Sequence, residues 1–140
     1  YVYRKANDRD APRPAHAQGK IAAQAGHACV EAVLMALERE GRLGDVLTSG
    51  DYVSLRKTGK APTALSEWFD KGVAKICVYV DSEEALLEID RKAKEAGILS
   101  ALICDAGMTE FHGQPTYTCL AFEPRFAQDV DPITGDLPLF

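Results

Sequence analysis

The sequence predicts an α/β domain with a mostly parallel sheet covered by helices on both faces. Three observations lead there. Short runs rich in Val, Ile, Tyr and Cys recur at "VAKICVYV", "ILSALIC" and "TYTCLAF". Segments with helical spacing and capping residues separate most of them, and strands alternating with helices imply crossover connections and a parallel sheet. The last two runs are joined without a helix, so one of them is expected to run antiparallel. A chain of 140 residues has enough material for one core but not two, so a single domain over 1–140 is expected.

The elements follow in order. "YVYRK" has β-strand character, and "ANDRDAPRPAHAQG", rich in Pro, Asp and Ala without a period, reads as a long loop. A helix is expected over about 20–40, with Gly41 as its C-cap. Residues 41–62 read as a surface insertion with room for a short strand or turn. "TALSEWFDKG" predicts a short helix from Thr63 to a stop at Gly72. "VAKICVYV" is so continuously apolar that a central strand is expected. "DSEEALLEIDRKAKEAG" predicts a helix capped by Ser82, acidic in its first turn, basic later and ended by Gly97. "ILSALIC" and "TYTCLAF" supply two further strands. "EPRFAQDVDPITG" predicts a final helix beginning at Pro124. The expected order is therefore β-α-α-β-α-β-β-α.

Composition narrows the class. Apolar residues make up 46% and charged residues 26%, which excludes disordered and fibrous chains. The uninterrupted apolar runs are too short to cross a bilayer and no signal-peptide pattern opens the chain, so no membrane partner is expected. Cys29, Cys77, Cys104 and Cys119 lie far apart in apolar segments and show no metal-ligand spacing. They predict reduced, buried thiols, no metal site and a cytoplasmic protein. A net charge of −5 opposes nucleic-acid binding on average. Residues 1–60, however, carry ten Lys/Arg against seven Asp/Glu, whereas 61–140 carry six against fourteen. A basic face built from the N-terminal part therefore stays open.

Two stretches carry candidate chemistry. On a helical wheel of "QGKIAAQAGHACVEAV", Lys20, Gln24, His27 and Glu31 share one side, and Ala22, Ala25, Cys29, Val33 and Ala36 the other. The small residues, with Gly26, are expected to bring the helix backbone close to the sheet. Gly19 and Lys20 are expected at the helix N-terminus, where free N–H groups attract an anion. In "LICDAGMTEFHGQPTYT", Asp105 follows a buried strand at its carboxyl end, where ligand sites form in open α/β sheets, and Thr109 offers a hydroxyl nearby. Each stretch also has a plain structural explanation, a wet helix face and a capped turn. His16 and His112 stand isolated in loops. The sequence contains no GxGxxG, GxxxxGK[ST], GxSxG or HExxH pattern, which removes support for dinucleotide, P-loop, hydrolase-elbow and zincin readings.

Taken together, "GKIAAQAGHA", "LICDAGMT", "TYTCLAFEP" and "DPITGDLPLF" resemble the type 2 peptidyl-tRNA hydrolases, over residues 1–5, 19–38 and 63–140. The resemblance implies an α/β/α sandwich around a mixed four-stranded sheet, often a homodimer, with neither metal nor organic cofactor. It implies hydrolysis of the ester between peptide and tRNA in peptidyl-tRNA, recycling tRNA from stalled translation. It places the active site at Lys20, Asp105 and Thr109, with His27, Thr116 and Thr118 nearby. Residue chemistry suits that reaction, since ester hydrolysis needs an aimed water, a proton acceptor and positive charge where the oxyanion grows. "DAGMTE" differs from the family's common DAGRTQ, losing a cation at Met108 and gaining an anion at Glu110. The longer loops 6–18 and 41–62 supply Arg9, Arg13, Arg56, Lys57 and Lys60 as candidate substrate-binding cations. The alternatives are a non-catalytic relative that binds tRNA or a protein, and a hydrolase of smaller esters or amides.

Overall fold

The computed structural model describes residues 2–4, 15–48, 50–105 and 115–140. The first helix, α1 (Ala15–Arg39), follows strand β1 (Val2–Arg4) and a stretch outside the described residues. Helix α1 begins five residues before the expected start. Gly19 and Lys20 are therefore inside the helix rather than at its N-terminus, and the free N–H groups expected beside Lys20 are not there. At the other end Gly41 adopts φ +68°, and Arg42 N–H donates to Leu37 C=O at 2.8 Å. That is the closing bond of a Schellman cap, which needs the left-handed residue that glycine supplies most cheaply.

The 41–62 segment is more than a surface loop. It folds into a 3-10 turn at Leu43–Asp45 and a two-stranded hairpin, β2 (Val46–Leu47) with β3 (Ser54–Leu55). Leu55 is buried with Ala36, Leu37 and Leu65, which ties the hairpin to the C-terminal end of α1. Helix α2 (Ala64–Asp70) starts with a capping box in which the Thr63 and Ser66 side chains each take the other's backbone N–H. Helix α3 (Glu83–Glu95) is capped by Ser82, whose hydroxyl accepts from Ala85 N–H at 3.1 Å, and it ends before Gly97 at φ +72°.

Strands β4 (Val78–Val80), β5 (Ser100–Asp105) and β6 (Thr116–Phe122) complete a four-stranded sheet with β1, in the order β4-β1-β6-β5. The expectation of a mostly parallel sheet needs correction. β1 pairs parallel with β4, but both ladders of β6 are antiparallel. Three strands do run the same way; the reversed one is β6, and because it lies inside the sheet it turns two of the three ladders antiparallel. β4 is also not central. It forms an edge, and the C-terminal residues pair along its outer side, with Tyr79 N–H donating to Pro138 C=O and Phe140 N–H to Cys77 C=O. A run read as doubly buried is thus an edge strand whose outer side is closed by the tail.

Side chains alternate between the faces of β6. Leu120 joins Val2, Val78, Val80, Leu86 and Ile89 on the α3 side, where helix α4 (Ala127–Thr134) contributes Ile133. Cys119 and Ala121 join Ala28, Ala32, Ala101 and Ile103 beneath α1. Helix α4 starts at Ala127, not Pro124, with Phe126 at its N-cap. Below the end of α1, the buried Glu123 carboxylate is held between Arg39 and Arg125, the latter at 3.0 Å.

All four cysteines are free, but their environments differ: Cys119 is buried, Cys29 and Cys77 are half-buried, and Cys104 is exposed, against the expectation that all four lie inside. Burial also pushes the Cys77 thiol above its ordinary pKa, which lowers its thiolate fraction. Alkylation of the native protein at pH 8, followed by peptide mass spectrometry, is expected to label Cys104 first, Cys77 more slowly and Cys119 only on unfolding.

Candidate active site

Helix α1 runs antiparallel to β5, so its early turns overhang the strand's C-terminal end. Lys20, Gln24, Ala28, Ala32 and Ala36 recur every four residues and form one line along the helix. The last three are 0%, 1% and 2% exposed against the sheet. The first two reach the end of β5, where Asp105 lies. Lys20 Nζ stands 2.9 Å from Asp105 Oδ2, and Gln24 Nε2 donates to the same oxygen at 2.8 Å. The side chains of Lys20 and Asp105 are 22% and 12% exposed, so water screens this pair far less than a surface pair. The wheel expectation is thereby corrected: the small inward line is Ala28, Ala32 and Ala36, whereas Ala22 and Gly26 are exposed.

The sheet supplies the opposite wall. Asp105 pairs with Thr116, Cys104 with Tyr117 and Ile103 with Cys119, leaving Thr118 as an extra residue in β6. This β-bulge decides which way Thr116 points. In an unbroken strand Thr116 would share a face with Leu120, under α3. The extra residue reverses the alternation, and Thr116 joins Asp105 and Cys119 on the α1 side. Thr118 itself is 6% exposed and its hydroxyl is 4.0 Å from Cys119 Sγ, so it sits in the wall rather than on its surface. The Cys119 thiol in turn donates to Gln24 C=O at 3.7 Å, joining β6 to the turn that carries Gln24. No feature of the sequence marked Cys119 as a support of the site beyond its apolar setting.

The other predicted residues are distributed differently. His27 is 66% exposed and its described partner is Glu31, at 3.5 Å, not Asp105. Lys57 pairs with Asp70 at 2.7 Å on the surface, and Lys60 is exposed in the next turn. Both follow the hairpin anchored at Ala36, roughly 24 Å along α1 from Lys20 at about 1.5 Å per residue. Arg13 and Thr109, with Met108, Glu110 and His112, lie outside the described residues. A groove of about 400 Å³ opens on the far flank of α1, between Cys29, Val33, Trp68, Ile76 and Leu139. Neither Lys20 nor Asp105 lines it, so this groove is distinct from the convergent polar groups.

No group of three or more His, Cys, Asp or Glu side chains arranged for a metal ion occurs among the described residues. By length and composition Gln18–Arg39 is apolar enough to cross a membrane. Its alanine line packs on the sheet, whereas Val30 and Leu34 on the other side are 60% and 50% exposed.

Comparison with known proteins identifies the family. The chain is 39% identical over 124 residues to a peptidyl-tRNA hydrolase of Halobacterium salinarum, covering 88% of each chain. It is 37% identical over 122 residues to one of Methanopyrus kandleri, covering 87% of this chain and 85% of the relative. A probable peptidyl-tRNA hydrolase 2 of Drosophila melanogaster is 36% identical over 122 residues, 87% of this chain and 54% of the longer relative. The family described as peptidyl-tRNA hydrolase PTH2 matches residues 15–140, which contain Lys20, Gln24 and Asp105, and the chain belongs to that family.

Proposed function

We propose that the protein hydrolyses the ester joining the peptide to the 3′ ribose in peptidyl-tRNA, freeing tRNA for further use. The observation that carries this reading is the convergence of Lys20 and Gln24 on one carboxylate oxygen of Asp105 at the open end of the sheet. Two donors on Oδ2 fix the plane of the carboxylate, so a water hydrogen-bonded to that carboxylate is held in a set direction. Asp105 orients this water and takes its proton as it attacks the ester carbonyl. Lys20 lies within one side chain of the developing oxyanion and stabilises it electrostatically. Gln24 holds Asp105 in place, Thr116 on the same wall is a hydroxyl for the ribose, and Thr109 aims the water. No serine or cysteine nucleophile takes part in this scheme. Arg13, Lys57 and Lys60 contact phosphates away from the ester. His27 and Thr118 have supporting roles at most, given their positions.

The same reading extends to the setting. α1 on one sheet face and α3 with α4 on the other support a three-layer α/β/α arrangement. A cytoplasmic protein acting in ribosome rescue, as a homodimer, is the expected context. The deciding experiment mixes purified protein with N-acetylaminoacyl-tRNA and measures acid-soluble label released. Turnover is expected. Retention of tRNA without release would mark a non-catalytic binder, and release from small esters alone would mark a different hydrolase.

A further inference from the structure

We propose that the peptide part of the substrate binds as an added strand along the outer edge of β5, held by its backbone whatever its sequence; this rests on the peptidyl-tRNA reading. The two edges of the sheet differ. β4 is closed on its outer side by the C-terminal residues, through Tyr79 with Pro138 and Phe140 with Cys77. β5 pairs with β6, and no described segment pairs along its other side.

The ladder shows which backbone groups face outward. Glu123 N–H donates to Leu99 C=O at 3.0 Å just before β5 begins, so Leu99, Ala101 and Ile103 turn their backbone groups toward β6. Ser100, Leu102 and Cys104 alternate with them and turn N–H and C=O outward. Those groups have no backbone partner among the described residues. An unpaired row of this kind is a template for another strand, and edges are normally blunted by Lys, Pro, a bulge or a cover. β5 reads Ser-Ala-Leu-Ile-Cys-Asp, with neither Lys nor Pro, and the extra residue of the bulge lies in β6.

The position of this edge names its occupant. It ends at Asp105, where Lys20 and Gln24 converge and the proposed reaction takes place. The ester is at the carboxyl end of the peptide, so a peptide leading away from it along β5 runs parallel to the strand, its amino end toward Ser100. Six strand residues at about 3.3 Å each give room for about five peptide residues. A hydrolase that frees tRNA from unfinished chains meets every peptide sequence. Main-chain hydrogen bonds, the source of affinity in strand addition, are common to all of them.

The test is a binding titration, so it does not depend on turnover. N-acetyl peptides of one to eight residues, joined to 3′-amino-3′-deoxyadenosine by a stable amide, are titrated into the wild-type protein. Affinity is expected to rise tenfold or more up to about five residues and then level off, with little response to exchange of side chains. Methylating a single backbone nitrogen should weaken binding about tenfold at alternate positions and little at those between, because a parallel strand turns every second amide to its neighbour. Amide exchange at Leu102 and Cys104 should slow on binding, while that at Ala101 and Ile103 stays as it was. Affinity independent of length, or equal sensitivity to methylation at every position, would overturn the proposal. So would protection of the same edge amides in the free protein that is lost on dilution, which assigns the edge to a second copy. Analogues that bind in this pattern while the corresponding esters are not released would refute the hydrolase reading and leave the strand contact standing. Esters released at rates unaffected by peptide length, with flat analogue binding, would do the reverse.

Discussion

Replacing Asp105 by Asn is expected to lower turnover of peptidyl-tRNA by about 10²- to 10⁴-fold, mostly through kcat, with little change in KM. The substitution keeps the shape of the side chain and an oxygen for Lys20 and Gln24 to approach. It removes the charge that, in the proposed mechanism, accepts a proton from water. Asp105 is at the end of β5, so the fold should persist, with some lowering of the melting temperature because Lys20 loses the partner of a weakly screened pair. Steady-state and single-turnover hydrolysis separate chemistry from binding, and circular dichroism checks the fold. Asp105→Asn retaining a tenth or more of the rate would reduce the pair to a structural contact. Lys20→Met adds a second reading of the same cluster: it takes the Lys20 charge from the carboxylate and keeps the Gln24 amide on it, so kcat should again fall while the fold persists.

How much of this was legible in the sequence depended on whether the signal was local. Helix α3 could be read nearly to the residue, because Ser82, the acidic first turn and Gly97 each act within one turn of the chain. Strand β6 matched "TYTCLAF" end to end. The position of β4 was not legible, since a continuous apolar run looks the same in the middle of a sheet and at an edge that the chain's own tail covers. The ladder directions failed for a related reason: a reversed strand was foreseeable because β5 and β6 are joined without a helix, but not the insertion of β6 beside β1. At the site, Lys20 and Asp105 could be singled out from residue chemistry. The wheel nevertheless treated polar and buried as opposite sides. In this fold the inward-facing line of α1 outruns the sheet, so its first two members are polar and still face inward. The bulge that turns Thr116 toward Asp105 depends on pairing across two strands and has no local signature.

That continuity between packing line and site makes a distant substitution informative. Ala28→Leu is expected to destabilise the fold by about 1–3 kcal/mol and to cut turnover more than tenfold, although Ala28 contacts no reacting group. Ala28 is 0% exposed among Ala32, Ala101, Ile103, Cys119 and Ala121, a layer of mostly small side chains that sets how closely α1 lies on β5 and β6. Leucine is nearly as good a helix former as alanine, so the effect is one of packing rather than propensity. The larger side chain must lift this part of α1, and Gln24 and Lys20 lie one and two turns further along the same line. A displacement near 1 Å at a reacting group can cost about a hundredfold in rate. Leu34→Ser, on the 50%-exposed outer side of the same helix, should leave both melting temperature and rate close to wild type. If Ala28→Leu melts lower yet hydrolyses normally, the alanine line matters only for stability. If rate falls together with melting temperature while Leu34→Ser changes neither, the spacing between helix and sheet is itself part of the catalytic geometry.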